Sequence, residues 1–249
     1  MANIVRCKLP SGIRRLKPFT VQDYRDILLI RTELASKTSD EQTELVNEML
    51  ADYFSEFPES YRPHIFLKTF STSIGKTRLP VQWSCATCNK VAKTLLNIGI
   101  EELKNPVIET CGVKITFKFP EIYEPDPVKF INENIYSVDD GTIHLWTELP
   151  EDDKLAVIDA ITLEAVEQLL KQIHPIYIEI KMNCCESKTV TYTNIKDVFN
   201  LLLNPDEVFS FYQTNHVLTK SHYDLNSVMK MIPIERTIAL SLIEKDNKK

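Results

Sequence analysis

Cys85 and Cys88, separated by two residues, and the vicinal Cys184 and Cys185 form two close pairs among the six cysteines of the chain. Paired thiols can ligate a soft metal, form a disulfide or exchange with one. Each pair lies between two extended runs, LPVQW and KVAKTLL around the first, IYIEIKM and KTVTYT around the second. A tight element between two extended runs is the shape of a metal knuckle at a hairpin tip. Zn²⁺ prefers four ligands in a tetrahedron, so the pattern predicts that two tips brought together supply four thiolates from Cys85, Cys88, Cys184 and Cys185, in a zinc-ribbon-like clasp. A four-sulfur shell leaves no position for water, so the ion's expected role is structural and not hydrolytic. The alternatives are that one pair binds alone, that neither binds, or that a disulfide forms. Adjacent side chains point apart in an extended strand, so Cys184 and Cys185 reach one ion only if the backbone turns there, and Cys184 is the least secure ligand. Cys7 and Cys111 are expected to be small buried or turn residues.

An internal repeat supports the pairing of the tips. At an offset of 97, Cys88 aligns with Cys185, Thr94 with Thr191, Asn97 with Asn194 and Ile98 with Ile195, and each copy then reaches an Asn-Pro pair, Asn105-Pro106 and Asn204-Pro205. In this register Cys85 aligns with Met182, so the copies are degenerate. A duplicated hairpin followed by a helical turn fits the pattern.

Other elements must hold these tips. Residues 3–9 and 13–17 read as a strand pair across Pro10, Ser11 and Gly12. A helix comes next, with Thr20 as N-cap and Asp23 three residues on; Ser39 and Asp40 open a second, whose Leu45, Val46, Met49, Leu50, Tyr53 and Phe54 make an apolar stripe. Packing within the same domain is the favoured cover for that stripe, ahead of a groove for a partner helix. A shorter helix begins after Pro63. Val113, Ile115, Phe117 and Phe119 alternate as a strand does, and so do Ile176, Ile178, Ile180 and Met182. Between them lie helical runs at about 127–135 and 152–172, the second carrying Leu155, Ile158, Val166, Leu169 and Leu170 toward a core, with Asp139, Asp140 and Gly141 as the turn between the runs. From Ile195 onward the chain reads as helix with breaks at Pro205 and Pro233 and a frayed tail, EKDNKK. The expected class is α+β: a small antiparallel β region with zinc-ribbon-like hairpin knuckles, flanked by helical parts. The expected division is 1–75 (hairpin plus helices), 76–193 (β-rich, with a helical insertion at about 120–173) and 194–249 (helical).

Composition narrows the chemistry. With 249 residues, 43% of them hydrophobic and 26% charged, the chain is of ordinary globular type. Only 5 glycines count against dinucleotide and nucleotide folds, whose loops need them beside phosphate. STSIGKT ends like a phosphate loop, but Phe70 stands where its first glycine belongs. A net charge of −6 argues against general nucleic-acid affinity, and Lys90, Lys93 and Lys104 near the first knuckle give a nucleic-acid-binding zinc-ribbon adaptor only slight support. No apolar run reaches the roughly 18 residues of a membrane span, and MANIVRCKLP has no secretory core, so the protein is expected to be soluble and to stay where it is made, with its thiols reduced. His64, His144, His174, His216 and His222 are scattered, and the acids Glu101, Glu102, Asp139, Asp140, Glu151, Asp152 and Asp153 fall at turns or helix starts. Trp83 and Trp146 read as packing anchors. No catalytic residue emerges, and a non-enzymatic protein is expected.

The N-terminal stretch MANIVRCKLPSGIRRLKPFTVQDYRDILLIR, the knuckle CATC followed by Lys90, the NCC element and LLLNPDEVFSFYQTNH together resemble the baseplate hub proteins of T4-like contractile-tailed bacteriophages. The resemblance covers nearly the whole chain. It implies a protein that helps form the central hub of the tail baseplate, in the cytoplasm of an infected bacterium, with other hub or tail proteins as partners, room for self-association, and no catalytic activity. A chaperone-like hub assembly factor is the favoured role, and a permanent subunit of the virion baseplate is the alternative.

Overall fold

The computed structural model describes residues 4–122 and 126–246. The first hairpin, β1 (Val5–Leu9) and β2 (Gly12–Leu16), pairs Leu9 with Gly12 across the turn, where Gly12 takes a φ of 114°. Asn3, the expected first strand residue, lies outside the described residues. α1 (Val21–Leu34) starts at Thr20, whose hydroxyl accepts from the Asp23 N–H while the Asp23 carboxylate accepts from the Thr20 N–H, the reciprocal box that the sequence predicts. α2 (Ser39–Phe54) opens at Ser39 as expected, and Thr38 before it donates its N–H and hydroxyl to the Glu41 carboxylate. α3 (Arg62–Ile74) ends on Gly75 in the left-handed conformation, φ 67°, so the sequence that imitates a phosphate loop is a helix C-cap.

These helices and two later hairpins share one core. The first of them is β3 (Arg78–Ser84) with β4 (Val91–Asn97), and the second is β9 (Ile178–Asn183) with β10 (Ser187–Tyr192). Val46, Met49, Leu50 and Phe54 of α2 are buried against Ile65, Phe66 and Phe70 of α3, Leu96 of β4, Ile178 and Ile180 of β9, and Val198 and Phe199 of α7 (Ile195–Leu202). The stripe of α2 is therefore covered within the chain, as expected.

A second hydrophobic cluster lies between the two hairpins in sequence. β5 (Val107–Thr110), β6 (Val113–Phe117), β7 (Ile135–Asp139) and β8 (Ile143–Leu145) form an antiparallel sheet in that order, covered by α4 (Pro127–Asn134) and α6 (Leu163–Ile173). Three expectations need correction here. Asp139, Asp140 and Gly141 turn between strands β7 and β8, not between helices; Ile135 to Asp139 escaped notice because its apolar residues continue the pattern of α4, yet it pairs with β6. The expected helix at 152–172 is broken into α5 (Glu151–Asp159) and α6 because Thr162 accepts from the Ala165 N–H and starts the chain afresh. Leu155 is 60% exposed and joins no core, while Leu169 is fully buried. The expected helical insertion at about 120–173 thus also carries the strands β7 and β8.

After α7 come α8 (Glu207–Lys220), α9 (Leu225–Lys230) and α10 (Pro233–Asp246). Pro233 opens α10, and the unforeseen break at 221–224 carries His222 at φ 67°, so His216 and His222 do not share a helix. Glu244 to Asp246, expected to fray, remain helical; residues 247–249 lie outside the described residues. The mixture of helices with small antiparallel sheets is α+β, as expected.

Two contacts set the position of the hairpins and the C-terminal helices. His64 of α3, 3% exposed, donates to the Pro175 carbonyl just before β9. Burial, opposed by that hydrogen bond and assisted by Lys68, lowers its pKa to about 4. The unfolded chain then binds a proton near pH 6.5 that the folded chain refuses, so stability is full above that pH and falls as pH drops toward 4. At about 1.4 kcal/mol per pH unit the loss at pH 4 is roughly 3 kcal/mol; urea unfolding at the two pH values should show it, and His64→Gln should remove that share. Gly75 faces Ile234 of α10, whose Cδ1 would lie 2.2 Å from an added Cβ. Gly75→Ala should cost roughly 1 to 2 kcal/mol in urea unfolding from its left-handed backbone, and more from the clash, the latter part relieved when Ile234→Ala is added.

Candidate metal centre

The first knuckle occupies the tip of the β3–β4 hairpin. Cys85 N–H donates to the Lys90 carbonyl at 3.0 Å and Asn89 N–H to the Cys85 carbonyl at 2.8 Å, closing a tight loop that Asn89 completes with a φ of 55°. Asparagine tolerates that conformation better than most side chains, and its place directly after Cys88 was a readable turn signal that the sequence reading passed over. The second tip joins β9 to β10 through Cys184, Cys185 and Glu186, where Cys184 N–H donates to the Glu186 carbonyl at 3.2 Å. The strand ends at Asn183. The backbone turn that two adjacent ligands require is therefore present, and both thiols turn to the same side.

β4 and β9 lie next to each other, with the Thr94 hydroxyl 3.4 Å from the Lys181 carbonyl, and this brings the tips together. The Sγ atoms of Cys85, Cys88, Cys184 and Cys185 all lie within 4.8 Å of one another, and Cys88 and Cys184 are 3.5 Å apart. A tetrahedron with metal–sulfur bonds of about 2.3 Å has sulfur–sulfur edges of about 3.8 Å. The cluster is of that size, and its sulfurs are free thiols, not disulfides. Cys7 is buried in strand β1 and Cys111 occupies the turn between β5 and β6 at φ 48°, the two places expected for them.

The electrostatics of the cluster favour a cation. Backbone N–H groups of Cys88, Thr87 and Cys185 donate to the Cys85 sulfur and bring its pKa down to about 6, so this thiol ionises readily. Cys184 is pushed up to about 12, chiefly through its hydrogen bonds to Cys88 and Cys85, and Cys185 is raised by Cys88 and by burial. Four sulfurs this close cannot all carry negative charge by themselves. A divalent cation held by these four sulfurs would reverse that balance and favour release of the remaining protons. Cys85 is 5% exposed while Cys184 and Cys185 are exposed, so the inner knuckle is sheltered and the vicinal pair closes the site from the solvent side.

The repeat is also visible in three dimensions. Asn97 ends β4 and Asn194 stands two residues past β10, and each accepts from the N–H two residues on, Gly99 at 3.0 Å and Lys196 at 2.8 Å. Beyond the asparagines the copies diverge, since α7 continues from Asn194 whereas residues 98–104 form no helix. The duplicated unit is the hairpin with its asparagine turn.

The other polar side chains form local pairs, and His144 Nε2 lies 3.6 Å from Asp140 Oδ1. Glu102 pairs with Lys8 at 3.0 Å, Asp139 and Asp140 accept the N–H groups of Gly141 and Thr142, and Glu151 pairs with Lys154 in the first turn of α5. Trp146 packs on the second cluster, with the Lys154 ammonium 6.0 Å from its ring centre, and Trp83 is half-buried beside the knuckle. Among the described residues no helix is long and apolar enough to cross a membrane. The metal reading makes a spectroscopic prediction: the reduced protein takes up about one Co²⁺ per chain with thiolate-to-metal charge-transfer bands. Cys88→Ser should weaken uptake by well over tenfold and Cys111→Ser should leave it unchanged.

Residues 1–200 match the family model described as T4 bacteriophage base plate protein, and residues 202–248 match that described as the baseplate hub assembly protein Gp51 C-terminal domain. No curated protein and no solved structure matches the chain. The first match spans both cysteine hairpins and the sheet between them, and the second begins at the end of α7 and takes in α8 to α10. Taken over its length, the chain belongs to the T4-like family of phage baseplate hub assembly proteins.

Proposed function

We propose that the protein is a non-enzymatic, chaperone-like assembly factor that binds hub components of the phage tail in the host cytoplasm and leaves before the particle is complete. The observation that carries the reading is the family match, whose second part is described as a baseplate hub assembly protein. Binding to the folded form of a partner stabilises it by mass action, so no bond needs to be made or broken. The cysteine cluster supports the same reading as a zinc-ribbon-like clasp. Zn²⁺ held by Cys85, Cys88, Cys184 and Cys185 would fix two hairpins on one core and supply rigidity, with no position left for a reacting group.

The surface suits a binding protein. Phe209, Tyr212, Ile238 and Leu242 on α8 and α10 are half or more exposed, at 76%, 52%, 54% and 52%. These four lie in the part that matches the hub assembly domain. Mass spectrometry of purified mature particles beside assembly intermediates is the deciding measurement. The chain is expected in the intermediates and missing from mature particles; equal abundance in both would make it a permanent baseplate subunit. Elemental analysis of the purified chain should find about one zinc per chain, and a metal-free wild type of equal stability would remove the clasp from the account.

A further inference from the structure

Arg236 on α10 is a buried cation that makes no ion pair with a carboxylate among the described residues. It is 9% exposed. Its guanidinium carbon lies 4.4 Å from the ring centre of Phe211, and its Nη1 donates to the Asn215 side-chain carbonyl at 3.1 Å. Both partners are neutral. Among the described residues no carboxylate comes within ion-pair distance, and only one of the five N–H donors of the guanidinium has a hydrogen-bond partner. Its unpaired donors are not sealed off, since Thr69 Oγ1 is the one fully buried side-chain polar atom without a partner among the described residues; a guanidinium largely withdrawn from water yet open at its edge is suited to a counter-ion from outside the chain.

The same residue lines a cavity of about 250 Å³. α1 contributes Tyr24, α8 Glu207, and the segment after α3 Lys76, so the cavity lies on the seam between residues 1–200 and residues 202–248. The Glu207 carboxylate is occupied: the Tyr24 hydroxyl donates to it at 2.9 Å. Tyr24 keeps its proton, because burial and Glu207 both push its ionisation well upward. Arg236 and Lys76 against Glu207 leave the cavity with one net positive charge. A space this size is smaller than the roughly 300 Å³ at which sites for drug-sized ligands begin, and suits a side-chain-sized group.

We infer that this cavity is a carboxylate-binding site, in which the planar fork of Arg236 takes both oxygens of the ligand and the Lys76 ammonium completes the charge balance. One carboxylate neutralises the site, and its source is either an acidic side chain offered by a partner protein or a small free carboxylate. The site is separate from the cysteine cluster and does not depend on the assembly role.

The test is side-chain NMR of the full chain, tracking the ¹⁵N resonance of Arg236 Nε during titration at constant ionic strength, with Arg31 as internal control because its Nε is held by the Leu203 carbonyl at 2.9 Å. Acetate and N-acetylglutamate amide are the probes. The expected result is a saturable shift at Arg236 that chloride does not reproduce, weakened several-fold in Lys76→Met, a change at an exposed residue that leaves the core intact. A tighter response to N-acetylglutamate amide identifies an acidic side chain as the source, and a tighter response to acetate identifies a small free anion. A shift that does not saturate, that chloride matches, or that Lys76→Met leaves unaltered overturns the assignment, and so does tighter binding of inorganic phosphate than of either carboxylate.

Discussion

The convergence of four sulfurs from two hairpin tips is the constraint on which the rest of this structure depends. Cys88 and Cys184 stand 96 residues apart in the chain and 3.5 Å apart in space. An ion held by all four sulfurs would cross-link a loop of about 100 residues and restrict the unfolded chain by roughly 4 to 5 kcal/mol, a large share of the stability of an ordinary domain. The stretch between the two tips contains the whole four-stranded sheet and its helices, so the tips mark where that insertion leaves the main core and where it returns. The hairpins do more than carry ligands. Leu96, Ile178 and Ile180 bury their inner faces in the same core as α2 and α3, and the tips project beyond it.

Around that anchor the molecule divides its tasks by packing. The main core fixes the hairpins through residues from both ends of the chain, and the contact of His64 with Pro175 adds to that hold. The sheet of β5 to β8 has its own apolar cluster, centred on Phe117, Phe130 and Leu169. α8 to α10 rest on α1 and α3, where Val21 N–H donates to the Met231 carbonyl at 2.7 Å and Gly75 admits Ile234. The cavity lined by Arg236, Lys76 and Glu207 lies at the same docking, so the seam between the two family-defined parts is a packing surface that also carries charged groups.

Local signals were legible where a short-range pattern governs the backbone. The capping residues of α1, the strand alternation from Val113 to Phe117 and the helical stripe of α2 arise from neighbouring side chains alone, and the structure keeps them with shifts of a residue or so. The pattern misled where long-range pairing overrode it. Ile135 to Asp139 is apolar enough to extend α4 but is bound to β6 by a strand partner about 20 residues away in the chain, a fact that no local window contains. Leu155 fits the helical spacing of a core residue, yet α5, ended before Thr162, turns Val157 and Ile158 to the second cluster and leaves Leu155 in solvent.

The sequence by itself determined the chemistry available: four thiols in two pairs, each between extended runs, within a degenerate repeat that marks the two hairpins as equivalent units. It also carried the family's pattern from end to end. Only the tertiary structure decided that the two tips meet, because β4 and β9 pack side by side on one core, and that the backbone at Cys184 and Cys185 turns so that vicinal thiols face the same centre. That Arg236 makes no ion pair with a carboxylate among the described residues was invisible for the same reason. Whether a charged side chain has a counter-ion is a property of three-dimensional neighbours, and Arg236, Asn215, Phe211 and Lys76 come together only when the C-terminal helices dock.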